Sequence, residues 1–265
     1  MPIVVSTELA VGPNRFLLNL VDRQNQPQAA ASRPAMLDFY DLATSTTSPA
    51  VSLAGTYLTI LPALPGIYRA QVDFATAGEW GLEVRTTETD GSQRTGRLAF
   101  PVRETSSTPQ IGSAAPATET PTADSADEIA RISTDRQPDA DFYTASVSQA
   151  LADHRPFLLT FATPAFCRSA TCGPALDVVK GVATEFKDTV TFIHVEPYEL
   201  ELTDGQLQPV FDANNAPIPI QAVLDWGLPT EPYIFAVDAD GKVRAKLEGV
   251  AAPEEIRAAL TLIAP

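Results

Sequence analysis

The chain has 265 residues, which is long for a single hydrophobic core and suits two domains of ordinary size. Its formal net charge of -15, with 18 Lys and Arg against 33 Asp and Glu, argues against binding to phosphates or anionic lipid headgroups. We therefore expect no nucleic-acid partner. No run of the sequence approaches the ~18 apolar residues of a membrane-spanning helix, so we also expect no integral membrane segment.

Short strands separated by turn residues are predicted in the first part of the chain. Most alternate in polarity, as half-buried strands do, and Asp90-Gly91 is a hairpin signal. The predicted strands cover residues 15–21, 35–41, 56–61, 66–74, 81–87 and 96–102. This pattern predicts a small all-β sandwich over residues 1–104, in which Trp80 is a core aromatic.

The sequence at residues 12–28 and 66–84 resembles the YtkA and FixH type of immunoglobulin-like extracytoplasmic domain. The resemblance covers most of residues 8–103 and implies the same sandwich fold. Some related sandwiches bind copper through Met and His, but this part of the chain has no His and only two Met residues. We therefore expect no metal site in it.

A tract rich in Pro, Ala, Ser and Thr follows at residues 105–127. Ile111 is its one aliphatic residue larger than Ala, so it has little to bury. We interpret the tract as an extended linker, unless it packs along one of the domains. It is similar to the tethers of exported bacterial proteins.

Helices and strands alternate in residues 128–265. The apolar periods predict helices at residues 140–154, 173–187 and 253–263, strands at 157–161, 189–196, 233–238 and 243–247, and an insertion at 197–227. With the sequences at residues 157–179 and 229–249, this order resembles the thioredoxin superfamily. The resemblance implies an α/β fold, a cysteine loop before a helix, and a cis peptide bond between Glu231 and Pro232 that faces the cysteines.

The two cysteines, Cys167 and Cys172, are separated by four residues, whereas thioredoxins have two. In one regular helix they would lie ~7.5 Å apart along the axis, beyond the ~6.8 Å reach of a disulfide between Cα atoms. We therefore place Cys172 at the helix N-terminus and Cys167 in the preceding loop. Helix amides and Arg168 would then favour a thiolate at Cys172, and that residue is the expected low-pKa thiol.

These features predict thiol–disulfide exchange with another protein that carries a thiol or disulfide, and possible oxidoreductase activity. The candidate catalytic residues are Cys167, Cys172, Glu231 and Pro232, with Arg168 and Trp226 on a partner surface. Trp226 equally suits a position over the core. No cofactor and no metal ligand is assigned.

Two alternatives stay open. In one, a structural disulfide stabilises a non-catalytic binding module. In the other, the chain is a copper chaperone of the Sco type, which needs a distant His. Both His154 and His194 fit better as ordinary histidines in the body of the domain than as ligands. Two neighbouring cysteines and the Pro-rich tract favour an extracytoplasmic protein, secreted or lipid-anchored, with its signal segment outside this sequence.

Overall fold

A computed structural model of the chain describes residues 1–59, 66–88, 90–167 and 171–264. The chain divides into two compact units, Met1–Ser106 and Ser107–Pro265. The division falls near the start of the segment that the sequence predicts to be a linker. Among the described residues, no helix is long and apolar enough to cross a membrane.

The first unit is a seven-stranded sheet in the order β1-β2-β5-β4-β3-β6-β7, and every neighbouring pair is antiparallel. Its strands are β1 (Pro2–Val4), β2 (Gly12–Leu20), β3 (Ala35–Asp41), β4 (Val51–Leu58), β5 (Ile67–Phe74), β6 (Gly78–Thr87) and β7 (Gln93–Val102). The six strands predicted from the sequence are present, although residues 60 and 61 of one of them lie outside the described residues.

Aromatic side chains form the core of this unit. The ring of Trp80 lies 4.8 Å from that of Phe74 in an edge-to-face arrangement, and Phe16 meets Phe39 in the same way at 5.0 Å. All four side chains are buried. Burying one such side chain stabilises a fold by roughly 1.5–3 kcal/mol, so the alternating pattern fixes which face of each strand turns inward. Trp80 is therefore a core residue, as predicted.

The second unit contains a four-stranded sheet in the order β13-β12-β8-β9. The pair β8–β9 is parallel, whereas β12 runs antiparallel to both β8 and β13. Two further strands, β10 and β11, form a separate antiparallel hairpin. The strands are β8 (Phe157–Phe161), β9 (Thr191–Val195), β10 (Leu200–Thr203), β11 (Gln206–Pro209), β12 (Tyr233–Val237) and β13 (Val243–Glu248).

The helices of this unit are short. They are α1 (Ala126–Ile132), α2 (Val147–Ala152), α3 (Cys172–Ala183), α4 (Gln221–Asp225) and α5 (Pro253–Thr261). The helix predicted at residues 140–154 is interrupted: a single 3-10 turn ends at Tyr143, and Ser146 then caps a new helix by accepting a hydrogen bond from the Gln149 N–H at 3.1 Å. A side chain that bonds the backbone locally competes with helix continuation.

The predicted fold class is consequently corrected. The structure is mostly β, with 17% helix and 37% strand. Helices were predicted to be longer than they are, and the predicted insertion at residues 197–227 contributes two more strands. The predicted fold class, an immunoglobulin-like sandwich joined to an α/β thioredoxin-like domain at residues 128–265, is wrong in its second part. An immunoglobulin-like β-sandwich in the first unit is consistent with the structure.

Residues 107–125 belong to the second unit and contact it at several points. Ala114 forms a β-bridge with Lys242, and the Ala123 N–H donates to the Tyr143 carbonyl at 2.9 Å. The hydroxyl of buried Thr120 accepts a hydrogen bond from the Val147 N–H at 3.0 Å, at the start of α2. This segment thus supplies partners for backbone groups that would otherwise be buried without one.

Candidate functional site

The two cysteines lie at the amino end of α3. Cys172 is the first residue of the helix, and Cys167 lies outside it, in the turn that follows β8. The Cys167 N–H donates to the Thr163 carbonyl at 3.1 Å, which holds the turn closed. The two sulfurs are not joined in a disulfide.

The sulfur of Cys167 accepts the hydrogen bonds of this helix end. The Cys172 N–H donates to Cys167 Sγ at 3.3 Å, and the Thr171 hydroxyl lies 3.9 Å from the same sulfur. The first N–H groups of a helix carry a partial positive charge, which stabilises a thiolate close to them. Cys167 is half-buried and therefore also within reach of solvent.

Cys172 has the opposite environment. Its side chain is buried, and its thiol hydrogen-bonds to Cys167. This hydrogen bond and burial together raise the pKa of the Cys172 thiol well above its usual range. The prediction that Cys172 is the low-pKa thiol is wrong, because the helix amides reach the Cys167 sulfur instead.

Glu231 is brought to the cysteines by the segment that precedes β12. The Glu231–Pro232 peptide bond is cis, as expected from the sequence, and Pro232 is buried. One carboxylate oxygen of Glu231 accepts a 2.9 Å hydrogen bond from the Tyr198 hydroxyl. The sulfurs of Cys167 and Cys172 and a carboxylate oxygen of Glu231 all lie within 4.8 Å of one another.

An open cavity of about 310 Å³ lies beside Glu231. Its walls are largely proline and aliphatic side chains, and Tyr198 and Glu231 are polar groups at its edge. The residues that line it include Pro197, Pro217, Pro219, Leu228 and Pro229. The three donor atoms are thus next to a surface that a second molecule can approach.

Buried polar groups support the turn that carries Cys167. Glu196 accepts hydrogen bonds from the N–H and the hydroxyl of Thr134 at 2.7 and 2.6 Å, and the Ala165 N–H donates to that hydroxyl at 3.1 Å. Burial raises the pKa of Glu196. The sequence analysis missed Glu196 and Tyr198, because nothing local in the sequence shows that they meet residues far along the chain.

Neither histidine belongs to the group formed by Cys167, Cys172 and Glu231. His194 is buried, with Nδ1 at 2.8 Å from the Tyr143 hydroxyl and Nε2 at 3.0 Å from the Ala162 carbonyl. Burial lowers the pKa of His194 to about 4, so the ring is neutral at pH 7. His154 is exposed and contacts the Ala239 carbonyl. His194 therefore lies in the body of the domain, as expected, whereas His154 lies on its surface.

One of the two residues predicted to form a partner surface, Trp226, is not part of this site. Trp226 is fully buried and packs on Phe235, with ring centroids 4.7 Å apart, so it covers the core and cannot contact a partner. The prediction of a surface role for Trp226 is therefore wrong. Arg168 lies outside the described residues.

Comparison with known proteins gives only distant similarity in fold. No protein-family model and no curated protein matches the chain. Several solved structures are similar to part of it. CopC from Methylosinus trichosporium OB3b is 15% identical, with a TM-score of 0.26, over 39% of this chain and 95% of that one.

Two further structures are similar at the same level. The PmoD soluble domain from Methylocystis sp. ATCC 49242 (Rockwell) is 17% identical over 36% of this chain and 75% of that one, with a TM-score of 0.24. The Lin-41 filamin domain is 12% identical over 39% of this chain and 93% of that one, with a TM-score of 0.23.

The predicted function is corrected together with the fold. Thiol–disulfide exchange was predicted from a thioredoxin-like fold that the mostly β structure does not have, so it is not supported. The two cysteines are not joined in this structure, so the alternative of a structural disulfide has no support from it. What the geometry offers is a set of two thiols and one carboxylate around a common point.

Proposed function

We propose that the protein binds a single thiophilic metal ion, Cu(I), through Cys167 and Cys172 beside Glu231. The observation that supports this most directly is the distance of 4.8 Å or less between the three donor atoms. Two donors that share an ion at ~2.0–2.3 Å each are at most ~4.6 Å apart. Small rotations of the side chains are therefore enough to bring both sulfurs onto one ion.

The identity of the ion follows from the softness of its ligands. Thiolates favour Cu(I) and Zn(II) over Mg²⁺, Ca²⁺ and Mn²⁺. Cu(I) is the softer of the two, so a pair of thiolates suits it best. The hydrogen bond between the Cys172 thiol and Cys167 already places the two sulfurs next to each other. The ion takes the place of the proton between them, and binding releases the thiol protons to solvent.

The unequal burial of the two cysteines supports reversible binding. Cys167 is half-buried and Cys172 is buried, so an arriving ion meets Cys167 first and is then enclosed by Cys172. An incoming thiol can replace Cys167 as a ligand while Cys172 still holds the ion. We therefore propose that the exchange partner is a protein that carries a thiol. We also propose that exchange occurs outside the cytoplasm, because the tract rich in Pro, Ala, Ser and Thr is similar to the tethers of exported proteins.

A titration of the reduced full-length chain with Cu(I) in the presence of a chromophoric Cu(I) chelator tests the proposal. We expect one ion per chain, and loss of this binding in both Cys167→Ser and Cys172→Ser. Glu199→Gln is the matched control, since it removes an exposed carboxylate from the segment after β9 without touching the donor set. Circular dichroism verifies that each variant is folded.

Binding that persists in both cysteine variants would refute the proposal, as would a wild-type chain that does not compete with the chelator. Cellular fractionation tests the proposed location separately: recovery of the native protein only from the cytoplasm contradicts it.

A further inference from the structure

The carboxylate of Glu231 is held in one orientation. The Tyr198 hydroxyl donates to one of its oxygens at 2.9 Å. Glu231 is next to Pro232, which is buried, and Tyr198 itself is half-buried.

The three donors differ in the ions that they favour. Thiolates bind both Cu(I) and Zn(II), whereas a carboxylate oxygen suits harder ions and is a regular Zn(II) ligand at ~2.0–2.2 Å. Three protein ligands with one open position are a common arrangement around Zn(II). Cu(I) needs only the two sulfurs.

The surrounding sequence favours a divalent cation. Between Asp188 and Asp240 the chain contains no Lys or Arg but has acidic residues throughout, among them Glu196, Glu199, Glu201, Asp204, Asp212 and Asp225. The electrostatic field of these negative charges attracts a doubly charged cation more strongly than a singly charged one.

We propose that Glu231, positioned by Tyr198, sets the metal selectivity of the site and enables it to hold Zn(II) as well as Cu(I). This inference rests on the proposed function, because it takes the two cysteines as metal ligands. Glu231 is the third ligand for Zn(II), and Tyr198 is a positioning residue that does not touch the ion. Cu(I) is held by Cys167 and Cys172 alone.

The experiment measures Zn(II) and Cu(I) affinities of the reduced full-length chain with a chromophoric chelator for each ion. We expect Glu231→Gln to weaken Zn(II) binding by ~10-fold or more and Tyr198→Phe by about 10-fold, since loss of a group that orients a ligand costs roughly 10–100-fold. Cu(I) affinity stays unchanged in both variants. Glu254→Gln, at an exposed position of α5 outside that acidic segment, and Tyr57→Phe, in β4 of the first unit, are the controls and leave both affinities unchanged.

Co(II) provides a readout that a general loss of stability would not change. It replaces Zn(II) in four-coordinate sites and gives visible bands whose energy depends on the ligands. We expect these bands to shift in Glu231→Gln and in Tyr198→Phe but not in the two controls.

The outcomes separate the two proposals. If wild type binds Cu(I) through the cysteines but Zn(II) affinity is the same in all variants, the selectivity inference is overturned and the proposed function stands. If Glu231→Gln weakens both ions equally, the carboxylate does not select between them, which also overturns the inference. If wild type binds neither ion, the proposed function itself fails.

Discussion

The backbone N–H of Cys172 donates a 3.3 Å hydrogen bond to the sulfur of Cys167, five residues earlier in the chain. The amino end of α3 therefore stabilises negative charge on Cys167, in the preceding turn, rather than on Cys172, the first residue of the helix. This relationship gives the two thiols opposite reactivity.

We expect Cys167 to be alkylated faster than Cys172, by ~10-fold or more, because a thiolate near helix amides is reactive and a buried thiol is not. The measurement is a mass-spectrometric time course with iodoacetamide at pH 7 on the single variants Cys172→Ser and Cys167→Ser. The serine at position 172 keeps the backbone N–H, so the Cys167 environment is retained. Equal rates, or faster modification of Cys172, contradict the assignment.

A second prediction concerns acid stability and His194, which is buried with a pKa lowered to about 4. The unfolded chain binds this proton near pH 6.5, before the folded chain does, so stability falls as the pH drops from about 6.5 to about 4 and the loss levels off below that. The shift corresponds to about 3 kcal/mol. Asp135 opposes the lowering and Lys180 adds to it.

Urea unfolding at several pH values tests this prediction. His194→Gln is expected to show a shallower decrease in stability between pH 6.5 and 4 than wild type. In the difference between the two stability curves, the contributions of the other titrating groups cancel. His154→Gln, at an exposed position, is the control and keeps the wild-type slope. Parallel curves for wild type and His194→Gln would show that this histidine does not control acid stability.

The segment before α1 gives a third prediction. Thr120 is buried, and its hydroxyl accepts the Val147 N–H at 3.0 Å. Thr120→Val keeps the shape but removes the acceptor, so a buried N–H loses its partner at a cost of roughly 1–3 kcal/mol. Thr122→Val, at a neighbouring exposed position, should change stability by less than about 0.5 kcal/mol. Equal unfolding midpoints for the two variants would contradict the contact.

Two glycines in the second unit should respond in opposite directions to alanine. Gly227 has φ of 60°, and a Cβ there would lie 2.1 Å from the Ser107 carbonyl oxygen. Gly227→Ala is therefore expected to lower the free energy of unfolding by at least ~1 kcal/mol. Gly181 is an exposed position of α3 with nothing within 4 Å of its Cβ, so Gly181→Ala should raise stability by up to ~1 kcal/mol. Thermal unfolding of both variants provides the comparison.

Local sequence signals predicted the elements better than they predicted how the elements combine. The strands of the first unit follow from alternation, and the position of Cys172 at a helix start follows from helix geometry. The prediction of one helix at residues 140–154 was wrong, because the pattern of apolar residues does not show that Ser146 caps the start of a new helix. The excess of predicted helix supported the α/β fold class, which the structure does not have.

Contacts between distant residues could not be read from the sequence. Tyr198 and Glu231 are separated by 33 positions, and neither has a neighbour pattern that points to the other. The burial of Thr120 was missed because the composition of its segment indicates a solvated linker. In each case the deciding interaction is a hydrogen bond made only after the sheet and helices are in place.

The two tryptophans of the chain are distributed one to each unit, and both are buried. Each unit therefore has its own intrinsic fluorophore. With Trp226 replaced by Phe, emission reports on the sandwich alone, and with Trp80 replaced by Phe it reports on the unit that carries the cysteines. The order in which the units melt, and which of them a metal ion protects, can thus be followed in the intact chain without any attached label.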